Sequence, residues 1–311
     1  MRALVFTGPG VVELRDEPAP SPAADEELVT VRASGICGSE LHGFRAAGFR
    51  VPPLIMGHEF VGTTAEGRRV AVNPLSACGS CDLCLRGRPQ LCRNRSLLGI
   101  HRPGGFAEQV AVPRSALHTL PGALPFTAAA LIEPLANAVH AWSLLPEAAE
   151  RAVVLGAGPI GLLCAMVARS RGVEVEVTDP SASRRAAAER LSLRAVALPS
   201  GEYDAAIDAV GLPATRQATV DHTRPGGTAV WIGLAQDNAS LTGNSVVRGE
   251  RMIRGSFAYT PDEFARAVAL ASELDLDWTT EVPFARSAEV FYSLADGNTE
   301  ILKAVIVPEP A

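Results

Sequence analysis

The sequence predicts an α/β protein with two domains: a mostly-β domain formed by residues 1–137 and 260–311, and a doubly wound parallel-sheet domain formed by residues 138–259. Short strand patterns dominate the first part of the chain. Closely spaced glycines follow an apolar run near its middle, and strand and helix patterns alternate after them. Such alternation favours a parallel sheet with helices on both faces. A length of 311 residues suffices for two cores.

Composition excludes several classes of protein. The net charge is -6 and no basic block is present, which argues against a nucleic-acid partner. No apolar run is long enough for a signal peptide or a membrane span, so we expect a cytoplasmic protein without a membrane partner. Four of the six cysteines are clustered, and reduced cytosolic thiols in a cluster favour metal binding over disulfides.

The first part of the chain carries strand patterns. In chain order we expect a hairpin over 3–14, a strand over 28–33, strand-like residues over 61–72 with a charged turn at 66–69, and a strand over 104–110. An apolar helix pattern over 127–135 contains Pro134, which is expected to interrupt it because proline lacks an N–H group.

Arg151–Asp179 has the pattern of a dinucleotide-binding unit. A buried strand over 152–155 leads into Gly156, Gly158 and Gly161 in G-x-G-x-x-G spacing, and a helix pattern follows. The glycines allow a tight turn, backbone approach to a pyrophosphate and close packing of helix on strand. Asp179 ends the next strand, where a carboxylate binds ribose hydroxyls and favours NAD over NADP. The predicted cofactor-binding residues are Gly156, Gly158, Pro159, Ile160, Gly161, Asp179, Arg184, Val210 and Gly211.

The alternation continues beyond this unit. We expect strands over 203–210, 228–232 and 252–257, a helix over 213–222, a helix starting at Pro261, and a final strand, helix and strand over 279–282, 287–294 and 303–307. Proline is favoured in the first turn of a helix.

A structural metal site is indicated by Cys78, Cys81, Cys84 and Cys92. Four thiolates gathered by one short loop match a closed tetrahedral zinc site. Such a site stabilises the loop and leaves no open position for chemistry.

Chemically capable side chains are dense in two other segments. Gly35–His42 reads G-I-C-G-S-E-L-H, and G-H-E follows at 57–59. Glu133 lies among apolar residues, where a carboxylate is costly to bury unless a cation meets it.

Taken together, G-I-C-G-S-E-L-H, G-H-E, C-x-x-C-x-x-C-x7-C, I-E-P-L-A-N-A-V-H and G-A-G-P-I-G resemble the zinc-containing medium-chain dehydrogenase/reductase family over essentially the whole chain. The I-E-P-L motif is similar to that of its polyol, threonine and butanediol dehydrogenase branch. The resemblance implies a GroES-like catalytic domain followed by a Rossmann domain, two zinc ions per subunit, and a homodimer or homotetramer formed near 246–257.

The resemblance also implies roles for individual residues. Cys37 and His58 would bind the catalytic zinc, and Glu59 or Glu133 would complete the protein ligands directly or through a bound water. Mixed S, N and O ligands with one open position suit catalytic zinc. Ser39 would accept the proton of the alcohol, and His42 would end the relay that passes it to solvent.

The sequence departs from the family pattern at three places. Glu40 replaces an aspartate that usually supports the zinc-binding histidine, and its longer side chain makes that support less certain. The hairpin at 61–70 is short, and the segment 193–204 is expected to have lost a strand and a helix.

The predicted function is zinc-dependent hydride transfer between NAD and a secondary alcohol: a polyol, a diol, a hydroxy amino acid or an aminocyclitol. The sequence leaves two alternatives open. One is a nicotinamide-dependent reductase of C=N or C=C bonds on the same fold, and the other is a non-catalytic sensor that binds zinc and NAD.

Overall fold

The chain forms two compact units in a computed structural model that describes residues 1–46 and 48–308. One unit comprises 1–133 and 260–311, and the other comprises 134–259. The first junction therefore falls at 133/134, inside a helix, rather than at the expected 137/138. We call them the catalytic unit and the nucleotide unit, after the sites predicted in them.

The first stretch of the catalytic unit is rich in strands. Its elements are β1 Arg2–Gly8, β2 Val11–Asp16, β3 Glu26–Gly35, α1 Gly38–Gly43, β4 Leu54–Ile55, β5 Glu59–Thr64, β6 Arg69–Val72, β7 Leu75–Ser76, α2 Asp82–Leu85, β8 Ser96–Leu97, β9 Gln109–Pro113, β10 Leu117–Thr119 and α3 Phe126–Ala129. The hairpin expected over 3–14 is present as the antiparallel pair β1 and β2. The charged turn expected at 66–69 joins β5 to β6.

A long helix and the nucleotide unit follow. Their elements are α4 Ile132–Ser143, β11 Arg151–Leu155, α5 Pro159–Ser170, β12 Glu174–Thr178, α6 Ala182–Arg190, β13 Arg194–Val196, β14 Tyr203–Asp208, α7 Pro213–His222, β15 Thr223–Trp231, α8 Gly243–Arg248 and β16 Met252–Gly255. The sheet order is β13-β12-β11-β14-β15-β16. All five of its pairings are parallel, as the alternation predicted.

The chain then returns to the catalytic unit. Its last elements are α9 Pro261–Leu270, β17 Thr280–Pro283, α10 Ser287–Ala295 and β18 Ala304–Val307. The largest sheet of this unit runs in the order β10-β6-β5-β3-β18-β17, with β9 also paired to β3. Val305 pairs with Gly35, so the late strand β18 lies directly beside the end of β3. The predicted fold class, mostly-β GroES-like plus Rossmann, is confirmed.

Three local expectations were wrong. The helix does not break at Pro134, because α4 begins at Ile132 and places this proline in its first turn, where no intrahelical N–H bond is lost. The break falls earlier, at 130–131, between α3 and α4. The segment 193–204 keeps a strand, β13, that pairs with β12, so the expected loss of a strand was wrong. The expected loss of a helix agrees with the structure, since no helix lies among the described residues between β13 and β14.

The strand expected over 104–110 starts only at Gln109. Gly104 and Gly105 instead lie against the loop that carries His58. The Gly105 N–H donates to the Gly57 carbonyl over 2.7 Å, and a Cβ at Gly104 would collide with the same carbonyl. The glycine pair therefore allows a close backbone approach that fixes the 55–57 segment.

Separate apolar cores support the two units. The catalytic unit packs one core around Phe6, Met56 and Phe291 and another around Val31 and Phe60. In the nucleotide unit, the residues from Gly161 to Ala168 of α5 are all buried. Among the described residues, no helix combines the length and apolarity that a membrane crossing requires.

Candidate active site

The four clustered cysteines converge on one point. Their sulfur atoms are separated by 3.5 Å for Cys81 and Cys84, 3.8 Å for Cys81 and Cys92, 3.4 Å for Cys92 and Cys78, and 4.0 Å for Cys78 and Cys84. A tetrahedron with Zn–S bonds of about 2.3 Å has S···S edges of about 3.8 Å. The cysteine cluster therefore fits a closed tetrahedral zinc site.

Backbone N–H groups favour the thiolate form at this cluster. Hydrogen bonds from the Ser80 and Cys81 backbones lower the pKa of Cys78 to about 6. Cys84 shows the opposite shift, because desolvation and the neighbouring thiols raise its pKa to about 12 when no metal compensates the charge. A divalent cation removes this conflict by stabilising all four thiolates together.

A second group of side chains that could bind a metal lies in the catalytic unit. Ligand atoms of Cys37, His58 and Glu59 all lie within 4.8 Å of one another. Cys37 directly precedes α1, and Glu59 begins β5. His58 and Glu59 are buried. The set offers one sulfur, one nitrogen and one oxygen donor, which suits zinc with a further position open.

Glu40 supports this set despite its length. One carboxylate oxygen accepts hydrogen bonds from the Gly57 N–H over 2.8 Å and from His58 Nδ1 over 3.0 Å, and the other accepts the Cys37 N–H over 3.0 Å. Because a carboxylate only accepts, His58 carries its proton on Nδ1, and Nε2 is the nitrogen left for a metal. Glu40 therefore supports His58 by a hydrogen bond, even though its side chain is longer than that of aspartate.

The charges at this set are coupled. Burial alone would lower the pKa of His58, but the Glu40 carboxylate and Cys37 outweigh burial and raise that pKa well above its ordinary value. For Glu40, burial acts to raise the pKa, and His58 and Arg50 overcome it and hold the pKa below its ordinary value. His58 and Glu40 therefore each favour the charged form of the other.

Lys303 contacts the same set from the C-terminal segment. Its side chain is buried, and its ammonium group donates to Glu59 Oε2 and, over 3.0 Å, to the Ile36 carbonyl. Burial opposes its charge, but Glu59 and Cys37 outweigh this effect and raise the pKa of Lys303.

Ser39 and His42 share one face of α1 at i,i+3 spacing, and both are exposed. Ser39 Oγ lies 3.3 Å from Cys37 Sγ, so its hydroxyl stands beside the candidate sulfur ligand. Glu133 is half-buried in the first turn of α4. It is not in the group of ligand atoms within 4.8 Å that Cys37, His58 and Glu59 form.

The glycine loop has the geometry of a phosphate-binding turn. Gly156 has a φ of +103°, and a Cβ at Gly161 would collide with the Gly156 carbonyl. Helix α5 then starts at Pro159, so the unpaired N–H groups of its first turn are available to an anion. Val210 lies over Gly156, and the Gly211 backbone contacts Gly233 closely.

Asp179 is buried beside this loop. Its carboxylate accepts the Ala157 N–H over 3.0 Å and the Ser181 N–H over 2.8 Å. Arg184 lies on α6 with its guanidinium near the loop, since a Cβ at Gly158 would stand 3.1 Å from Nη1. The acid and the glycines therefore lie next to each other within one unit.

Known proteins resemble this chain over nearly its full length. Residues 23–122 match the family model of the alcohol dehydrogenase GroES-like domain, and residues 159–273 match that of the zinc-binding dehydrogenases. The L-galactonate-5-dehydrogenase of Escherichia coli (strain K12) is 33% identical over 336 residues, covering 98% of each chain. The chain belongs to the zinc-dependent medium-chain alcohol dehydrogenase family.

Further comparisons agree with this assignment. The L-threonine 3-dehydrogenase of Saccharopolyspora erythraea is 32% identical over 332 residues, covering 96% of this dehydrogenase and 97% of the relative. The crystal structure of galactitol-1-phosphate dehydrogenase from Escherichia coli superposes with a TM-score of 0.90 at 26% identity, covering 99% of this chain and 100% of that one. The dehydrogenase catalyses zinc-dependent hydride exchange between a secondary alcohol and NAD.

Sequence reasoning missed one residue at the site. Lys303 was assigned only to a strand, yet it contacts Glu59 across 244 positions of sequence. A signal was present in the composition, because Lys303 is the only lysine among 28 Lys and Arg residues.

Proposed function

We propose that this dehydrogenase oxidises a secondary alcohol that bears a neighbouring hydroxyl or amino group. The observation that carries the proposal is the set of S, N and O donors at Cys37, His58 and Glu59, within 4.8 Å of one another. A metal held by three protein ligands has room for a substrate oxygen. A second polar group next to the alcohol could also approach the metal. Two relatives are named for L-galactonate and L-threonine, and both of these compounds have a polar group next to a secondary alcohol.

We propose two zinc ions per subunit. Cys78, Cys81, Cys84 and Cys92 would hold the structural ion. Cys37, His58 and Glu59 would hold the catalytic ion, with Glu133 as a further candidate ligand, directly or through water. Zinc at the catalytic position supplies positive charge that lowers the pKa of the substrate hydroxyl.

Ser39 and His42 would move the substrate proton. The Ser39 hydroxyl, 3.3 Å from Cys37 Sγ, would accept the proton of the alcohol. His42 lies on the same face of α1 and is exposed, so it suits the end of a relay to solvent.

The nucleotide unit would hold NAD through the predicted residues. The first-turn N–H groups of α5, after Gly156 and Gly158, would meet the pyrophosphate, and Asp179 would accept hydrogen bonds from the ribose hydroxyls. Its negative charge disfavours the 2′-phosphate of NADP, which is the basis for proposing NAD as the preferred cofactor.

The test is NADH formation by zinc-replete protein on a panel of polyols, vicinal diols, L-galactonate, L-threonine and aminocyclitols, with NADP in parallel. We expect turnover on one class with NAD. Cys37→Ser provides the matched inactive control, since it removes one ligand. Equal rates for wild type and Cys37→Ser on every substrate would refute the proposed site.

We also propose that the protein is a cytoplasmic homodimer or homotetramer. Reduced thiols at the cysteine cluster fit a reducing compartment. Strand β16 is an edge strand, and Val247, Met252 and Phe257 near it are exposed. An apolar sheet edge is suited to pairing with a second copy.

A further inference from the structure

Lys303 stands out by composition. It is the only lysine among the 28 Lys and Arg residues of the sequence. Arg and Lys replace each other readily at exposed positions, but not where space and geometry select one of them. All the other residues in this group are arginine, and the single lysine lies at a buried position. We therefore expect the compact shape of its ammonium group to be required there.

The contacts of Lys303 join the two segments that supply metal ligands. Its Nζ donates to the Ile36 carbonyl over 3.0 Å, and Ile36 directly precedes Cys37. The same Nζ donates to Glu59, which directly follows His58. The Ile36 N–H donates to the Ala304 carbonyl over 3.0 Å, so the backbone next to Lys303 is also tied to the segment that carries Cys37.

The space around the ammonium group accounts for the choice of lysine. A Cβ at Gly35 would collide with Glu59 Oε2 and would lie 3.0 Å from Lys303 Cε and 3.3 Å from Nζ. The side-chain ends of Glu59 and Lys303 thus already fill the space beside Gly35, and the wider planar guanidinium of arginine would have to displace Glu59 to enter it. The compact ammonium group reaches both acceptors without this displacement.

We propose that Lys303 is a positioning residue for the zinc ligands, holding the Glu59 carboxylate in a fixed place relative to Cys37. This inference rests on the proposed role of Cys37, His58 and Glu59 in binding zinc. A ligand carboxylate whose second oxygen is held by a buried cation keeps one orientation when the metal binds or leaves. Loss of such an outer partner typically weakens metal binding by about 10- to 100-fold.

The test compares Lys303→Met and Lys303→Arg with wild type and with Arg286→Met. Arg286 pairs with Glu289 on the exposed surface of the same C-terminal segment, so it controls for loss of an ion pair. Zinc affinity is measured by chelator competition. Geometry is read from the visible spectrum of the cobalt-loaded protein, after subtracting that of Cys37→Ser to remove the cysteine-cluster contribution.

For Lys303→Met we expect at least tenfold weaker zinc binding at the Cys37 site and a shifted cobalt spectrum, with the zinc of the cysteine cluster retained. Lys303→Arg should also shift the spectrum, because the guanidinium does not fit beside Gly35. Arg286→Met should match wild type. Folded Lys303 variants with wild-type affinity and an unchanged spectrum would overturn the inference while leaving the proposed function intact.

Wild-type protein gives a readout that needs no variant at Lys303. With [¹⁵N]lysine labelling, the only ammonium resonance of a lysine side chain belongs to Lys303. We expect this resonance to exchange slowly and to shift when zinc is added to metal-free protein, but not in Cys37→Ser. A resonance that zinc leaves unchanged in wild type overturns the role of Lys303. Equal zinc contents in wild type and Cys37→Ser would overturn the proposed catalytic site as well.

Discussion

Glu133 is the residue whose role is most sharply testable. It lies in the first turn of α4 and stands outside the group formed by Cys37, His58 and Glu59. If it completes the zinc ligands, directly or through water, Glu133→Ala should lose the catalytic zinc or most of kcat. NAD binding should stay within twofold of wild type, since the nucleotide-binding residues are untouched.

Metal analysis, kcat on the best substrate and NAD titration by fluorescence decide this prediction. Glu147→Ala, an exposed acid on the loop after α4, is the matched control. An active Glu133→Ala enzyme with its full zinc content would show that Glu133 has neither role.

Asp179 should set the choice between NAD and NADP. We expect Asp179→Asn to lower the ratio of kcat/KM for NAD to that for NADP by about tenfold, because the negative charge that repels the 2′-phosphate is removed. The remaining amide oxygen can still accept one of the two backbone N–H groups that the carboxylate now binds.

Steady-state kinetics with both cofactors measure the ratio, and Asp221→Asn, exposed on α7 of the same unit, is the control. An unchanged ratio would mean that Asp179 serves the loop alone and does not select the cofactor.

Much of this residue-level chemistry was predictable because it is local in sequence. The spacing of the four cysteines and of the glycines predicts the cluster and the turn that the structure shows. The reach of Glu40 to His58 was not predictable, since it depends on side-chain conformation across 18 positions. The contact between Lys303 and Glu59 depends on the pairing of β18 with β3, and no local pattern specifies such a distant register.

At the scale of single elements, the turn into α5 gives a paired prediction. Gly161→Ala should weaken NAD binding at least tenfold, because its Cβ would collide with the Gly156 carbonyl and displace the loop. Gly158→Ala should be milder, since its Cβ would meet only the flexible end of Arg184, 3.1 Å away. Calorimetric NAD titration of both variants compares them. The reverse order of effects would contradict this account of the turn.

Helix α9 has a complete capping box. The Thr260 hydroxyl accepts the Glu263 N–H over 3.3 Å, and Glu263 accepts the Thr260 N–H over 2.8 Å. Thr260→Ala should reduce the free energy of unfolding by about 1 kcal/mol. Thr242 also precedes a helix, α8, but makes no side-chain cap bond, so Thr242→Ala is the matched control. Urea denaturation curves would contradict the prediction if both variants lost the same stability.

Element boundaries show where sequence patterns fail. The glycine pair at 104–105 reads as part of a strand, yet its function is to let the backbone approach the His58 loop. Pro134 reads as a helix breaker, and it is instead placed in a first turn. In both cases the conformation of the residue depends on how the surrounding chain packs. The residue type alone does not specify that packing.

At the scale of the whole molecule, the exposed edge of the nucleotide unit predicts self-association. We expect Met252→Glu and Val247→Glu to shift the protein towards monomer, because they place charge on an apolar edge. Size-exclusion chromatography with light scattering measures the mass. Leu198→Glu, which alters an exposed apolar residue away from β16, is the control. A wild-type monomer would contradict the proposed assembly.

The return of the chain to the catalytic unit has a consequence for biosynthesis. The nucleotide unit is continuous in sequence and can fold as soon as its residues emerge from the ribosome. Strand β3 emerges earlier but must wait for β18 before its sheet is complete. The cluster of Cys78, Cys81, Cys84 and Cys92 can form early in synthesis because it is local in sequence. Cys37, His58 and Glu59 acquire their full surroundings only after residues 134–259 have been translated.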